Sequence, residues 1–242
     1  GTPTYRVYNT PIIGNDLTVS GALTYGNNVG GGKNHTVSGN VVVISGASYA
    51  NTGTTANTQS FGSLYIDDTA TFIASPAGNL NLYYTSSGFS LNNEGTFTHN
   101  NGTVKIDFEN GGAPGSARTG YNSDSKVRCA SGDLYNLKVE MNRNADATKL
   151  YPPAGSENKI ENDLTITKGT FYKYNDNYTL IVSEAVTTAA SSTFGLASAT
   201  ANDTIGEISN TGTYNATTGL TTVKTGFFTD DGTFHHNSGT VV

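Results

Sequence analysis

A decapeptide that occurs twice, far apart in the chain, is the feature that most limits the possible folds. The first copy, GTFTHNNGTV, covers Gly95–Val104, and the second, GTFHHNSGTV, covers Gly232–Val241, so that only two positions differ. A second element recurs in the same order, because NDLTVSG at Asn15–Gly21 returns as NDLTITKG at Asn162–Gly169. The displacements are 137 residues (232 − 95) and 147 residues (162 − 15), which gives a repeat of about 140 residues. This self-similarity predicts an architecture in which small units stack on one another.

Short alternating segments bounded by glycine or asparagine fill the space around these elements. Four of them are NVVVISG at Asn40–Gly46, SLYID at Ser63–Asp67, DLYNLKV at Asp133–Val139 and YTLIVS at Tyr178–Ser183. Val, Ile, Thr, Tyr and Phe suit a pleated surface, and Gly and Asn suit the turns between strands. Almost no window has the apolar spacing of an amphipathic helix, and a helical turn is expected only in short segments such as Ser183–Ala190. The sequence therefore predicts an all-β protein.

Strands this short cannot bury both of their faces alone. When they stack coil upon coil, their inward apolar residues form a continuous core and their outward Thr, Ser and Asn form a solvated surface. We therefore predict a right-handed parallel β-solenoid (β-helix), in which Phe97 and Phe234 point into the core. The alternative is a pair of tandem β-sandwiches, which also have short strands separated by turns. The scarcity of proline and the repeated Gly-Thr-aromatic unit favour the solenoid.

Two copies of the solenoid repeat are expected to divide the chain. Copy one covers residues 1–110, a loop rich in Gly and Ser covers 111–125, and copy two covers 126–242 in continuation of copy one. The decapeptide runs on through KIDF in copy one, whereas copy two stops at Val242. A solenoid that ends within a strand exposes unpaired backbone groups and an open apolar cross-section. We therefore expect a longer chain, or completion by another copy of the protein in a homo-oligomer.

Charge and cysteine content argue against several functional classes. The formal net charge is −6 and the 13 Lys and Arg residues are scattered, so nucleic acid is not expected as a partner. No apolar run approaches the roughly 18 residues of a transmembrane helix, so no membrane span is expected. The single cysteine, Cys129, cannot form an intrachain disulfide and is expected to be a small buried hydrophobe.

Carboxylates and histidines are the residues to consider for catalysis or metal binding. Polysaccharide-cleaving solenoids need carboxylates that converge on one face, and the candidates are Asp67, Asp68, Asp107, Glu109, Asp230 and Asp231. The adjacent pairs are expected to cap turns or to face solvent. His99 aligns with His236, next to His235, so histidine is expected at a strand end of the repeat and not in a metal site. No catalytic, metal-binding or cofactor-binding residue is therefore assigned, and the protein is expected not to be an enzyme.

Aromatic side chains offer a different kind of site. Tyrosines occur in YY at Tyr83-Tyr84 and in FYKY, which contains Tyr172 and Tyr174. Successive side chains of a strand point to opposite faces, so some of these rings point outward, where they can stack on sugars. Tyr83, Tyr84, Tyr172 and Tyr174 are therefore the candidate glycan-contact residues. The alternative is that their hydroxyls only cover the edges of coils.

The run GTFTHNNGTVKIDF, followed by DLYNLKVE and then NDLTITKGTF, resembles the repeats of large β-helical surface proteins. Such repeats occur in tailed-phage structural proteins, especially those of aquatic phages, and in secreted bacterial adhesin-like proteins. The resemblance covers about residues 95–174 and recurs at 15–25 and 228–242. It implies a non-enzymatic structural protein of a virion, as a capsid decoration, fibre or tail component, whose partners are copies of itself, other virion or surface proteins and, as a further candidate, glycans. The alternative is a secreted bacterial cell-surface adhesin or matrix protein that binds glycans.

Overall fold

Short β-strands joined by tight turns make up the computed structural model of the protein. The residues that it describes are 4–7, 12–25, 34–83, 88–108, 124–130, 133–141, 146–152, 157–174, 178–196, 199–226 and 228–242. No helix occurs among these residues, and none is therefore long and apolar enough to cross a membrane. The helical turn predicted within Ser183–Ala190 is wrong, because a strand continues through Thr188. The β-branched residues Val186, Thr187 and Thr188 favour that extended conformation.

The strands follow one another in chain order with short connections. They are β1 (Thr4–Val7), β2 (Ile12–Ile13), β3 (Leu17–Val19), β4 (Ala22–Tyr25), β5 (His35–Val43), β6 (Ser48–Asn51), β7 (Thr58–Ile66), β8 (Thr71–Ile73), β9 (Asn79–Leu82), β10 (Phe89–Asn93), β11 (Thr96–Thr98), β12 (Thr103–Asp107), β13 (Ser125–Arg128), β14 (Asn136–Glu140), β15 (Ala147–Tyr151), β16 (Glu157–Ile160), β17 (Leu164–Lys173), β18 (Thr179–Thr188), β19 (Ser192–Phe194), β20 (Asp203–Asn210), β21 (Thr213–Asn215), β22 (Leu220–Val223), β23 (Phe228–Asp230), β24 (Thr233–His235) and β25 (Thr240–Val241).

The strands stack in three ladders, which form the three sides of a β-solenoid. Side A contains β1, β4, β6, β8 and β11, followed by Leu134, β16 and β22 with β25, and it includes the first halves of β18 and β20. Side B contains β2, β9, β12, β14 and β23, together with the first halves of β5, β7 and β17 and the second halves of β18 and β20. Side C contains β3, β10, β13, β15, β19, β21 and β24, together with the second halves of β5, β7 and β17.

All of these pairings are parallel, which confirms the predicted all-β parallel solenoid and excludes the tandem sandwiches, whose strands would pair antiparallel. The right-handed sense stays a prediction. The two predicted copies belong to one stack, since β12 pairs with β14 and β10 with β13. Of the predicted loop at 111–125, residues 111–123 lie outside the described residues, and β13 begins at Ser125.

One coil is much shorter than the sequence repeat. On side B, Val37 pairs with Phe61, 24 residues further on, and Asn210 pairs with Asp230, 20 residues further on. The step from β12 to β14 is longer, because Val104 pairs with Leu137 and the segment around the predicted loop lies between them. The repeat of about 140 residues therefore spans several coils.

The repeated elements occupy different sides in their two copies. Thr96–Thr98 of the first decapeptide lies on side A, whereas Thr233–His235 of the second lies on side C. The other element is displaced in the same sense, because Leu17–Val19 lies on side C and its counterpart Leu164–Ile166 on side B. The chain visits the sides in the order A, B, C, so both second copies are displaced backwards by one side. The repeat is thus a strand-corner-strand unit that fits any side of the coil.

The decapeptide builds the same corner each time. In His99–Gly102, Asn100 and Asn101 have φ of 48° and 58°, and their counterparts in His236–Gly239 have φ of 50° and 63°. The N–H of the third residue donates to the imidazole Nδ1 of the first, at 2.9 Å and 3.1 Å. The amide Nδ2 of the second residue donates to a carbonyl of the preceding coil, at 2.8 Å in both copies. Asparagine tolerates the left-handed conformation, which explains why it recurs at this corner. The histidine lies at a strand end, as predicted.

The core is a column of inward side chains. Phe97 is 4% exposed and stacks on Phe72 at 5.7 Å between ring centroids, which confirms that it belongs to the core. Phe234 makes the same kind of stack with Tyr214, at 5.6 Å. It is only half-buried, because β24 is the last strand of side C and packs against a neighbouring strand on one side only. Cys129 is buried in the core as predicted, and burial raises the pKa of its thiol.

Candidate functional site

Aromatic and cationic side chains occupy neighbouring outward positions of side C. Along one rank, Phe89 pairs with Lys126, Lys126 with Lys149, and Lys149 with Tyr172. In the adjacent rank, Arg128 pairs with Tyr151. Strands β10, β13, β15 and β17 hold these positions in register, because their inward residues pack in the core. We call the following side chains the aromatic–cation strip: Phe89, Lys126, Arg128, Lys149, Tyr151, Tyr172 and Tyr174.

Three rings of the strip contact one another. Tyr151 and Tyr174 stack with centroids 4.0 Å apart and an angle of 17° between ring planes, and Phe89 lies 5.3 Å from Tyr151. Tyr174 is the most accessible of the three, at 53% exposure. Partial burial and the neighbouring Tyr174 raise the pKa of the Tyr151 hydroxyl, which therefore remains a neutral hydrogen-bonding group at pH 7. Together the rings form an apolar surface edged by hydroxyls.

The cations lie over the faces of these rings. The guanidinium carbon of Arg128 is 4.9 Å from the Phe89 centroid, and the Lys126 ammonium is 5.5 Å from it. The ammonium of Lys149 lies 5.8 Å from the Tyr172 centroid. Such cation–π contacts fix the long side chains over the strip and contribute about 0.5–1 kcal/mol each at exposed sites.

Two carboxylates accompany the cations. Glu94 Oε1 lies 3.3 Å from Arg128 Nη1, and Asp124 Oδ2 lies 2.5 Å from Lys149 Nζ. The hydrogen bond to Asp124 raises the pKa of the Lys149 ammonium above its usual value. No carboxylate of the described residues pairs with Lys126. The strip therefore has more cationic than anionic groups, although the chain as a whole is acidic.

The strip contains two of the four tyrosines singled out in the sequence. Tyr172 and Tyr174 lie in it, while Tyr83 follows β9 on side B, where Asn81 Nδ2 donates to its hydroxyl at 3.4 Å. Tyr84 lies outside the described residues. The sequence alone did not single out Phe89, Tyr151 or the three cations. Each lies in an alternating segment, but only the length of each coil shows that these segments are neighbours.

The carboxylates considered for catalysis do not converge. Asp67 and Asp68 lie between β7 and β8, at a corner of the coil, as expected for turn residues. Asp107 ends β12 and is buried, with Lys105 Nζ 2.9 Å from its Oδ2. Asp230 ends β23 and accepts a hydrogen bond at 3.3 Å from the N–H of the second residue after it, which is a turn-capping contact.

Two of these carboxylates, Asp107 and Asp230, lie on the same side of the coil but are far apart along it. β12 and β23 both belong to side B, with β14, β17, β18 and β20 between them. Five spacings of about 4.8 Å place Asp107 and Asp230 roughly 24 Å apart, whereas glycoside hydrolysis needs two carboxyls about 5–10 Å apart. Asp231 lies in the turn after β23, and Glu109 lies outside the described residues.

Histidines have structural partners. His99 Nε2 lies 3.2 Å from Glu161 Oε2, and its ring stacks on Tyr135. His35 is 2% exposed, with Nδ1 2.5 Å from the Tyr49 hydroxyl, which also accepts from Gln59 Nε2 at 3.1 Å. Burial lowers the pKa of His35 to about 4, so its ring is neutral at pH 7. No group of three or more His, Cys, Asp or Glu that could hold a metal ion occurs in the part of the chain that the structure describes.

A buried ion pair lies directly beneath the strip. Lys173, between the two strip tyrosines of β17, points inward, and its Nζ lies 2.6 Å from Asp203 Oδ1 with both side chains about 95% buried. The same ammonium donates to the carbonyl oxygens of Tyr178 and Ala201, at 3.3 Å and 3.4 Å. Burial raises the pKa of Asp203, and the Lys173 ammonium opposes the rise. The pair joins side C to side A inside the core.

Comparisons of the chain with protein-family models, with curated proteins and with solved structures found no match. A sheet that holds rings, hydroxyls and cations outward is suited to binding.

Proposed function

We propose that the protein is a non-enzymatic structural solenoid of a virion, as a capsid decoration, fibre or tail component, and that it attaches to glycans through the aromatic–cation strip. The observation that carries the attachment is the strip itself, because it places rings and cations in register on four successive strands of side C. The repeats that the sequence resembles support the structural role, since they specify a scaffold and carry no catalytic set.

The chemistry of the strip fits sugars. The C–H faces of a pyranose ring stack on exposed aromatic rings, and its hydroxyls find donors and acceptors in the tyrosine hydroxyls and the cations. Tyr174 offers the most accessible ring, and Tyr151 supports it from the next coil. Because the strands are fixed by the core, little conformational entropy is lost when a ligand binds. A long solenoid can also present many such contacts in one assembly, so weak sites add up to firm attachment.

Attachment is tested with immobilised polysaccharides and a variant that lacks the stacked tyrosines. Tyr151→Ala with Tyr174→Ala should reduce binding at least tenfold, which corresponds to about 1.4 kcal/mol. Tyr135→Ala is the matched control, because it removes a tyrosine from another part of the coil, where the ring stacks on His99. Equal binding by all three proteins would refute the role of the strip.

The virion role is tested separately by location. Antibodies against the protein should detect it on purified virus particles. Detection only on bacterial envelopes or in the extracellular matrix would favour the adhesin alternative and overturn the virion proposal.

A further inference from the structure

The cations of the strip define which glycans suit it. Lys126, Arg128 and Lys149 follow one another on two adjacent strands, β13 and β15, in a protein whose formal net charge is −6. Arg128 uses Nη1 for its contacts with Asn92 and Glu94, at 3.4 Å and 3.3 Å. The guanidinium has five donors, so most of them remain available to a ligand. Lys126 has no carboxylate partner within the described residues.

The two ion pairs of the strip differ in how strongly they compete with an anionic ligand. Glu94 is 52% exposed and Asp124 is 40% exposed, both measured on the side chain. Exposed ion pairs contribute about 0–1 kcal/mol, so a ligand carboxylate or sulfate can displace Glu94 from Arg128 at little cost. Asp124 is held more firmly, because it also accepts a hydrogen bond from the N–H of Ala147 and its partner Lys149 is only 20% exposed. The rings beneath the cations exclude water from one side of each cation. This strengthens the attraction between the cation and an anionic group of a ligand.

We infer that the strip binds acidic polysaccharides, whose uronic carboxylates or sulfates contact Lys126 and Arg128 while their sugar rings stack on Tyr174, which Tyr151 supports from the neighbouring coil. This inference rests on the proposed attachment to glycans and adds the class of glycan. A neutral chain would make the stacking contacts and hydrogen bonds from uncharged hydroxyls, but it would bring no negative charge to the cations. An acidic chain makes both sets of contacts, and its repeated charges can follow the rank of cations across the coils.

The test compares three polymers, a polyuronate, dextran sulfate and neutral dextran, by affinity electrophoresis at low and high salt. The acidic polymers should bind at least tenfold more tightly than dextran, and salt should weaken their binding, because exposed charge contacts are screened. Lys126→Gln with Arg128→Gln should lower the affinity for the acidic polymers about tenfold and lower the affinity for dextran much less, because glutamine can still hydrogen-bond to sugar hydroxyls but carries no charge. Lys159→Gln on side A is the control, since it removes a lysine that lies outside the strip and whose ion pair with Glu161 is 3.9 Å long.

The outcomes separate the inference from the proposed function. Equal binding of acidic and neutral polymers, with Tyr174→Ala weakening both, would overturn the acidic specificity and leave attachment in place. Failure of every polymer to bind would overturn both. Loss of acidic binding in the Lys159→Gln control would also refute the inference, because the effect would then reflect net charge and not the strip. Circular dichroism of each variant checks that the solenoid is intact.

Discussion

The buried ion pair of Lys173 and Asp203 gives the sharpest test of how this core is held together. Lys173→Met removes the ammonium and leaves the Asp203 carboxyl 4% exposed, without its counter-charge. The Asp203 carboxyl can avoid being an unpaired buried charge only by taking up a proton. Keeping a group with an ordinary pKa of 3.8 protonated at pH 7 costs about 4 kcal/mol, at 1.36 kcal/mol for each pH unit. We therefore expect the substitution to lower the free energy of unfolding by about 3–4 kcal/mol, within the range for broken buried pairs.

The double variant Lys173→Met with Asp203→Leu should recover most of this loss. Replacing both charges by apolar groups of similar volume removes the desolvation penalty, and such replacements are often neutral or stabilising. We expect its free energy of unfolding to lie within about 1 kcal/mol of the parent protein. Lys159→Met is the control, because its ion pair with Glu161 is exposed and 3.9 Å long, and such pairs contribute little.

Urea unfolding followed by circular dichroism measures these differences, and hydrogen exchange of β17, β18 and β20 shows whether the loss is local. The single variant carries a second signature. With Lys173 absent, the pKa of Asp203 is raised above its unfolded value, so the folded state binds more protons and stability increases as the pH falls from 7 towards 4. A double variant as unstable as Lys173→Met, or a single variant without this pH dependence, would refute the reasoning.

Three further predictions concern the core and the absence of hydrolysis. Stability should decrease as the pH falls from 6.5 to about 4, by up to about 3 kcal/mol, because the unfolded state protonates His35 while the folded state keeps it neutral; urea titrations should show a smaller decrease for His35→Gln. Phe97→Ala should cost about 3–5 kcal/mol in urea unfolding, and Phe234→Ala, at the equivalent repeat position, should cost clearly less, because that ring is only half-buried; equal losses would contradict the assignment. Incubation with capsular and algal polysaccharides should leave their size distribution unchanged, and chain cleavage that disappears on replacing Asp107 would show an enzyme.

Local patterns in the sequence were sufficient to predict the fold class. Alternation within segments such as Asp133–Val139 and glycine or asparagine at their ends indicated strands and corners, and repetition indicated stacking. The coil length could not be read in the same way, because the strongest repeat, at Gly95–Val104 and Gly232–Val241, encodes a corner and not a whole coil. Phe234 illustrates a second limit, since its pattern matches that of Phe97 but burial depends on which strands stack on both sides.

The outward residues of side C differ between the strip and the rest of the same ladder. Further along the same ladder, the outward positions Thr193, Thr213 and Thr233 pair with one another in successive strands. Threonine at these outward positions is as compatible with the solenoid fold as an aromatic residue, because an outward position needs only to suit a pleated, solvated surface. The fold therefore does not require the rings and cations of β10, β13, β15 and β17. Their confinement to neighbouring strands, where Tyr151 and Tyr174 stack and Arg128 lies over the Phe89 ring, is what the proposed attachment to acidic glycans requires, because such a ligand needs both kinds of group together.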